Sequence, residues 1–152
     1  MLLRTHIAIS IFLILLFLQH VQNKIIFVLM VLLATVIPDL DSSSSSYGRH
    51  TVFKPIEFFV EHRGIFHSFT IAFIFSVLIA VFWPVGAIGF FLGYSIHLIS
   101  DSFTKDGIQP FWPSKAKCSG PLYSAGRIEE IFFLTMIFVD ILIFLVLFVF
   151  WV

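Results

Sequence analysis

Apolar runs dominate this chain and leave few folds open to it. Leu2–Leu18, Ile25–Ile37, Ile65–Trp83, Val85–Ser100 and Ile131–Val152 each read as helices. A helix that crosses a bilayer needs about 20 apolar residues, within a range of about 17–25. The third and fifth runs meet that length, and the first and fourth lie near its lower edge. The second is short unless it begins near Val21. Charged residues make up 12% of the chain, about half the share usual in soluble domains, and phenylalanine alone occurs 21 times. The expectation is an all-α polytopic transmembrane helical bundle of about five spans, forming one domain over residues 1–152.

Arg4 ahead of the first run imitates a secretory leader, but the run ends in Gln19-His20-Val21-Gln22-Asn23 with no small-residue cleavage site. We therefore expect the first helix to be retained. Formal net charge is zero, which offers nothing to nucleic acid or another polyanion. The single cysteine, Cys118, cannot form an internal disulfide.

Five alternating spans put the N-terminus and the two long polar stretches, 39–64 and 101–130, on one face. The short turns at Gln19–Lys24 and around Pro84 lie on the other. Arg4, Arg49, Lys54, Arg63, Lys105, Lys115, Lys117 and Arg127 fall on the first face, and only Lys24 on the second. Basic residues in short loops mark the cytoplasmic side, so the loop-bearing face is expected to be cytoplasmic. Ser42–Ser46 is low in complexity and reads as a flexible part of the first loop. Pro110, Pro113, Gly120, Pro121 and Gly126 predict an irregular second loop.

The candidate chemistry collects on that same face. His6 opens the first span, and Asp39 and Asp41 follow the second. His62 and His67 bracket the start of the third, His97 and Asp101 close the fourth, and Glu129 opens the fifth. His97 and Asp101 are four apart, hence one helical turn apart on one face, where an imidazole and a carboxylate can share an ion. The donors are all N and O, a set suited to Zn²⁺ first and to Mn²⁺ or Fe²⁺ as well. Eight donors are more than one tetrahedral ion needs and enough for two. Taken singly, each has a plainer use: an interfacial histidine, a helix stop at Pro38-Asp39, an i,i+4 hydrogen bond. Ionisable groups in membrane segments are costly, however, and are usually functional. His20 and His50 fall outside the set. Asp140, in the middle of the last run, is expected to be structural, or else to mark a proton or ion path.

At these residues the chain resembles the YdjM-like family of inner-membrane, metal-dependent hydrolases. The matching elements are His6-Ile7-Ala8, Pro38-Asp39-Leu40-Asp41, and His62-Arg63-Gly64-Ile65-Phe66-His67-Ser68. They continue with Gly93-Tyr94-Ser95-Ile96-His97-Leu98-Ile99-Ser100-Asp101, Thr104, Gly107, Trp112-Pro113, Gly126 and Glu129. The family usually carries Thr at the position of Phe66 and Ser at the position of Ile96. The ordered His/Asp/Glu pattern is also similar, more remotely, to zinc-dependent phospholipase C. The resemblance implies a membrane-bound hydrolase in the inner membrane that activates water on one or two divalent ions. It acts on a phosphoester of a membrane lipid, either a phospholipid or a lipid-linked phosphate. Metal ligands would be His6, Asp39, Asp41, His62, His67, His97, Asp101 and Glu129. Asp41 or Glu129 would take a proton, and Arg63 would neutralise a phosphate oxygen. Two rival classes stand beside it: a divalent-metal or proton transporter, and a structural protein whose helices a metal pins together.

Overall fold

A computed structural model describes residues 1–41 and 65–151 of the chain. The described residues form five α-helices: α1 Leu3–Phe17, α2 Lys24–Val36, α3 Phe69–Phe82, α4 Pro84–Ser102 and α5 Arg127–Trp151. A short 3₁₀ helix, Ile37–Asp41, follows α2. The expected all-helical class is met. Among the described residues, one helix is both long and apolar enough to cross a membrane: α5, over Arg127–Val149. The runs expected as the first three spans give helices of 15, 13 and 14 residues, about 20–22 Å each by helical rise. They stop short because each apolar run ends in residues the helix does not use.

Local chemistry sets those ends. Pro38 has no N–H to continue the α-helical ladder, and the chain tightens into the 3₁₀ turn. At the start of α3, the Ser68 side chain accepts a hydrogen bond from the Ile71 amide at 3.4 Å and so caps the helix. The third run therefore begins its helix at Phe69 rather than Ile65, which leaves His67 just outside the first turn. Pro84 occupies the first position of α4, where its missing N–H costs nothing.

The inside of the bundle is small and polar, and its outside is apolar. α1 buries Thr5, His6, Ala8 and Ser10; α3 buries Ala72 and Ser76; α4 buries Gly86, Gly89 and Gly93. Meanwhile Ile25, Phe82, Val81, Ile131, Phe138 and Phe148 are exposed. Small residues let helix backbones approach closely, and α2 against α4 is the most extensive helix pair. Gly93 is the closest point: a Cβ there would overlap the Val31 carbonyl and lie 2.8 Å from Val31 Cα. Apolar core from α2, α3 and α4 (Met30, Ala34, Ala72, Phe90, Tyr94, Leu98) extends to Ile108 in the second loop.

That loop is more ordered than its composition predicts. Ile108 and Cys118 exchange two backbone hydrogen bonds of 2.9 Å, and Thr104 pairs with Leu122. Gly107 takes a positive φ of 61° against Cys118 and Ser119, a conformation open to glycine. Thr104 holds the loop to α4 by donating its hydroxyl to the Asp101 carbonyl at 2.8 Å. The α2–α4 contact yields one expectation: Gly93→Ala should lower stability by about 1–3 kcal/mol, the usual penalty for overpacking, read as a lower thermal midpoint in detergent.

Candidate metal centre

At one end of the bundle α1 begins, α2 ends, α3 begins and α4 ends. Asp39, His67, His97 and Asp101 meet there, each offering one ligand atom, with these atoms all within 4.8 Å of one another. His67 Nε2 lies 3.8 Å from Asp39 Oδ1 and 3.7 Å from Asp101 Oδ2, and His97 Nε2 lies 3.7 and 3.6 Å from the same two oxygens. Tetrahedral ligands at the usual Zn–N and Zn–O bond lengths stand about 3.3–3.6 Å apart. These distances are too long for hydrogen bonds and close to what a shared ion requires.

Each donor is aimed by something else. His97 Nδ1 is 2.8 Å from the Thr35 carbonyl. A carbonyl only accepts, so Nδ1 carries the proton and the Nε2 lone pair points into the cluster. Thr35 lies in the last turn of α2, just before the 3₁₀ turn begins at Ile37, where helix carbonyls are open to a side-chain donor. Thr35 is itself fixed: its hydroxyl donates to the Val31 carbonyl at 2.8 Å and lies 2.7 Å from Ser10 Oγ on α1. The Tyr94 hydroxyl donates to the Phe66 carbonyl at 2.7 Å, and this sets the backbone from which His67 projects. An outer hydrogen bond of this kind fixes tautomer and orientation in metal-binding histidines.

The donor set fits a cation on a second count. Both ring nitrogens of His6 and His67, His97 Nε2 and Asp101 Oδ2 are buried without a hydrogen-bond partner. Buried polar groups are nearly always paired, and so many orphan donor atoms around one point are the mark of a site built for an ion. Asp39 alone keeps some exposure, 17%, against 0–1% for the other three, and forms the opening of the site. Burial works to raise its carboxyl, but His67, His97 and His6 around it hold it below the ordinary carboxylate range.

His6 lies beside this group. Its ring stacks on His97 with centroids 3.9 Å apart, and its Nε2 is 3.2 Å from Asp101 Oδ1, an oxygen that also meets the Met1 amine. Glu129 is placed differently from its expected role as ligand or base. One of its oxygens accepts from the Leu2 amide at 2.6 Å and the Thr5 hydroxyl at 2.9 Å, and the other accepts from the Ala125 amide at 2.6 Å. It caps α5 and locks the start of α1 to it. The reach of a first-turn glutamate back to its own cap explains the difference. The backbone of Asp41 ends the 3₁₀ turn, while its side chain, His62 and Arg63 lie outside the described residues. Thr35, Ser10 and Tyr94 were not singled out from sequence. For Tyr94 the signal was its place in the Gly-Tyr-x-x-His element; for the other two there was none.

The family model described as YdjM inner membrane protein matches residues 1–152, and the chain belongs to that family. Proteins named inner membrane protein YdjM from Escherichia coli (strain K12) and Shigella flexneri are each 30% identical to it over 103 residues. Those residues are 60% of this chain and 51% of each relative, so the chain spans about half the length of the curated relatives it matches. No solved structure matches.

The placement of Glu129 can be checked directly. Glu129→Gln puts an amide NH₂ against buried N–H and O–H donors, and an unsatisfied buried group costs about 1–3 kcal/mol. The thermal midpoint should fall while metal content per chain stays that of the wild type.

Proposed function

We propose that this member of the YdjM family is a multi-pass membrane-bound metal-dependent hydrolase, with its centre on the cytoplasmic face of the inner membrane. The substrate we assign is a phosphoester in a phospholipid or lipid-linked phosphate. The observation that carries the reading is the cluster of Asp39, His67, His97 and Asp101. Its donor atoms converge, those of His67, His97 and Asp101 have no hydrogen-bond partner, and the His97 ring is oriented from behind. Zn²⁺ is the ion that best suits two imidazoles and two carboxylates at this spacing. When bound, it would polarise a phosphoryl oxygen and make water a nucleophile near neutral pH.

The chain's own residues supply the rest. Asp39, half-open to the outside, is where a substrate headgroup enters. His97 keeps its lone pair on the centre because the Thr35 carbonyl holds its other nitrogen, and Tyr94 ties down the backbone beside His67. His6 extends the donor set on the far oxygen of Asp101, where a second ion would sit. Asp41 and Arg63 retain the roles assigned from sequence, proton acceptor and phosphate partner. Glu129 leaves the catalytic set because both of its oxygens are committed to α1 and to its own helix cap.

Membrane placement rests on the apolar exterior, the span-length α5 and the names of the relatives. Apolar surface of this extent on a monomer marks contact with lipid or protein. One observation favours a transporter as the second reading: Asp140, mid-helix in α5, is 6% exposed and neither of its oxygens has a hydrogen bond. Metal flux into proteoliposomes, abolished by Asp140→Asn, would establish that reading.

The hydrolase reading is tested by purifying the protein in detergent, measuring bound metal and assaying phospholipid and lipid-phosphate cleavage. Wild type should carry about one or two ions per chain. His97→Ala and Asp101→Ala should lose binding by more than the roughly 10–100-fold that follows loss of an outer hydrogen-bond partner. A wild type without metal, or variants that bind as well as it does, would overturn the site. Metal without cleavage of any lipid would favour an ion that only pins the helices.

A further inference from the structure

Beside the centre, α1, α4 and α5 leave an apolar groove of about 300 Å³ between them. Its walls are Ile9 of α1, Ile96 and Ile99 of α4, Phe103 just past α4, and Phe132 of α5. Ile99, Phe103 and Phe132 are exposed, so the groove opens to the outside of the bundle rather than into its core. Its polar lining is almost nil, although it sits at the end of the molecule where the polar residues collect.

The groove and the centre share two helical turns. Ile96 and Ser100 line the groove, and the residues that follow them, His97 and Asp101, turn into the cluster. Met1 also lines the groove, and its amine contacts Asp101. One end of the groove therefore lies a single residue from a proposed ligand. The other end runs away from the loop face: Ile9 lies deeper along α1 than His6, and Ile96 lies deeper along α4 than Asp101.

We propose that this groove holds one hydrocarbon chain of a membrane lipid, with the lipid's polar end at the loop-bearing end of the groove, beside Met1 and Ser100. Three features single out this occupant. The residues at 96, 99 and 103 are spaced i, i+3 and i+7, a stripe of two turns about 10 Å long, which matches a slender chain lying along a helix. A second copy's helix, about 10–12 Å across, is too thick for a groove of this volume. The polar end at the face and the apolar end toward the middle reproduce the direction of a lipid in its own leaflet. Ligand pockets of about 300 Å³ stand at the small end of the usual range, enough for part of one chain. The proposal rests on the membrane reading of the bundle and gives the hydrolase reading its substrate pose, yet it does not depend on cleavage.

The test separates the two. The full chain is placed in nanodiscs of phosphatidylethanolamine and phosphatidylglycerol, doped with phosphatidylethanolamine carrying a diazirine on one acyl chain. Adducts are then mapped by mass spectrometry after illumination, and bound zinc is measured in the same sample. Adducts should concentrate on Ile9, Ile96, Ile99 and Phe132, at least fivefold above Leu78, an exposed residue of α3. Ile99→Trp, which fills the groove, should cut the adducts on Ile9 and Phe132 about tenfold with zinc content unchanged. Leu78→Trp should leave those adducts as they are. Even labelling of Leu78 and the groove residues would overturn the proposal, because it would mean surface lipid only. So would adducts on Ile9 and Phe132 that survive Ile99→Trp. If Ile99→Trp fails to fold, the wild-type labelling ratio decides alone. Failure of the hydrolase reading would show instead as absent zinc or absent cleavage, whatever the labelling pattern.

Discussion

The hydrogen bond from His97 Nδ1 to the Thr35 carbonyl joins the fold to the chemistry of the site. It bridges α4 and α2 at the end where both helices deliver carboxylates, and it decides which imidazole nitrogen is left to face Asp39 and Asp101. Its length of 2.8 Å requires the two backbones to run unusually close. Gly93 permits this, since a side chain there would strike Val31. It also draws on a carbonyl in the last turn of α2, where helix carbonyls are open to outside donors. The glycine one turn before the histidine and the end of α2 at the threonine thus act together.

The polar contacts around that bond form a layered support. Ser10 of α1 meets the Thr35 hydroxyl, the Thr35 hydroxyl returns to Val31, and Tyr94 holds the backbone beside His67. Thr104 then ties the second loop to the carbonyl of Asp101. Every one of these groups is buried or nearly so, and each is satisfied within the protein. The ligand atoms themselves are not. This contrast argues for a cation more strongly than the proximity of histidines and acids does. A bundle that needed only polar packing would have satisfied the rings too.

Much of the centre was legible in the sequence, and the reasons differ by residue. His97 and Asp101 could be paired from helical spacing alone, because α4 runs unbroken through both. Asp39 could be placed by Pro38, which stops an α-helical ladder when it comes at the end of an apolar run. His67 was recognisable as a span-end residue, although the capping role of Ser68, which starts the helix later than the apolar run suggests, was not used to place it. Glu129 was read as a ligand or base from its depth, but depth along a helix says nothing about direction around it. Its carboxylate turns toward the amides of Leu2 and Ala125. The number of spans was read from run length, and the first and third helices proved shorter than their runs while α4 and α5 proved longer. Gly93 gave no signal beyond its residue type, since a close approach depends on the partner helix and cannot be seen along one chain.

The shortness of α1, α2 and α3 has a consequence for access. Helices of about 20–22 Å cannot carry polar side chains at their ends out to the water on the far side of the headgroups without tilting or thinning the bilayer. On the proposed multi-pass reading, groups at those ends would lie at or below headgroup level. A charged cluster at that depth would be costly if it stayed empty, and it would be hard for a large soluble substrate to reach. A lipid faces neither obstacle. Its headgroup already sits at that depth, and its chain already lies along the outer faces of the helices. On the proposed multi-pass reading, the apolar exterior, the recessed centre and the groove beside Ser100 would be three results of one geometry, in which the polar ends of short helices are drawn down into the plane where lipid headgroups lie.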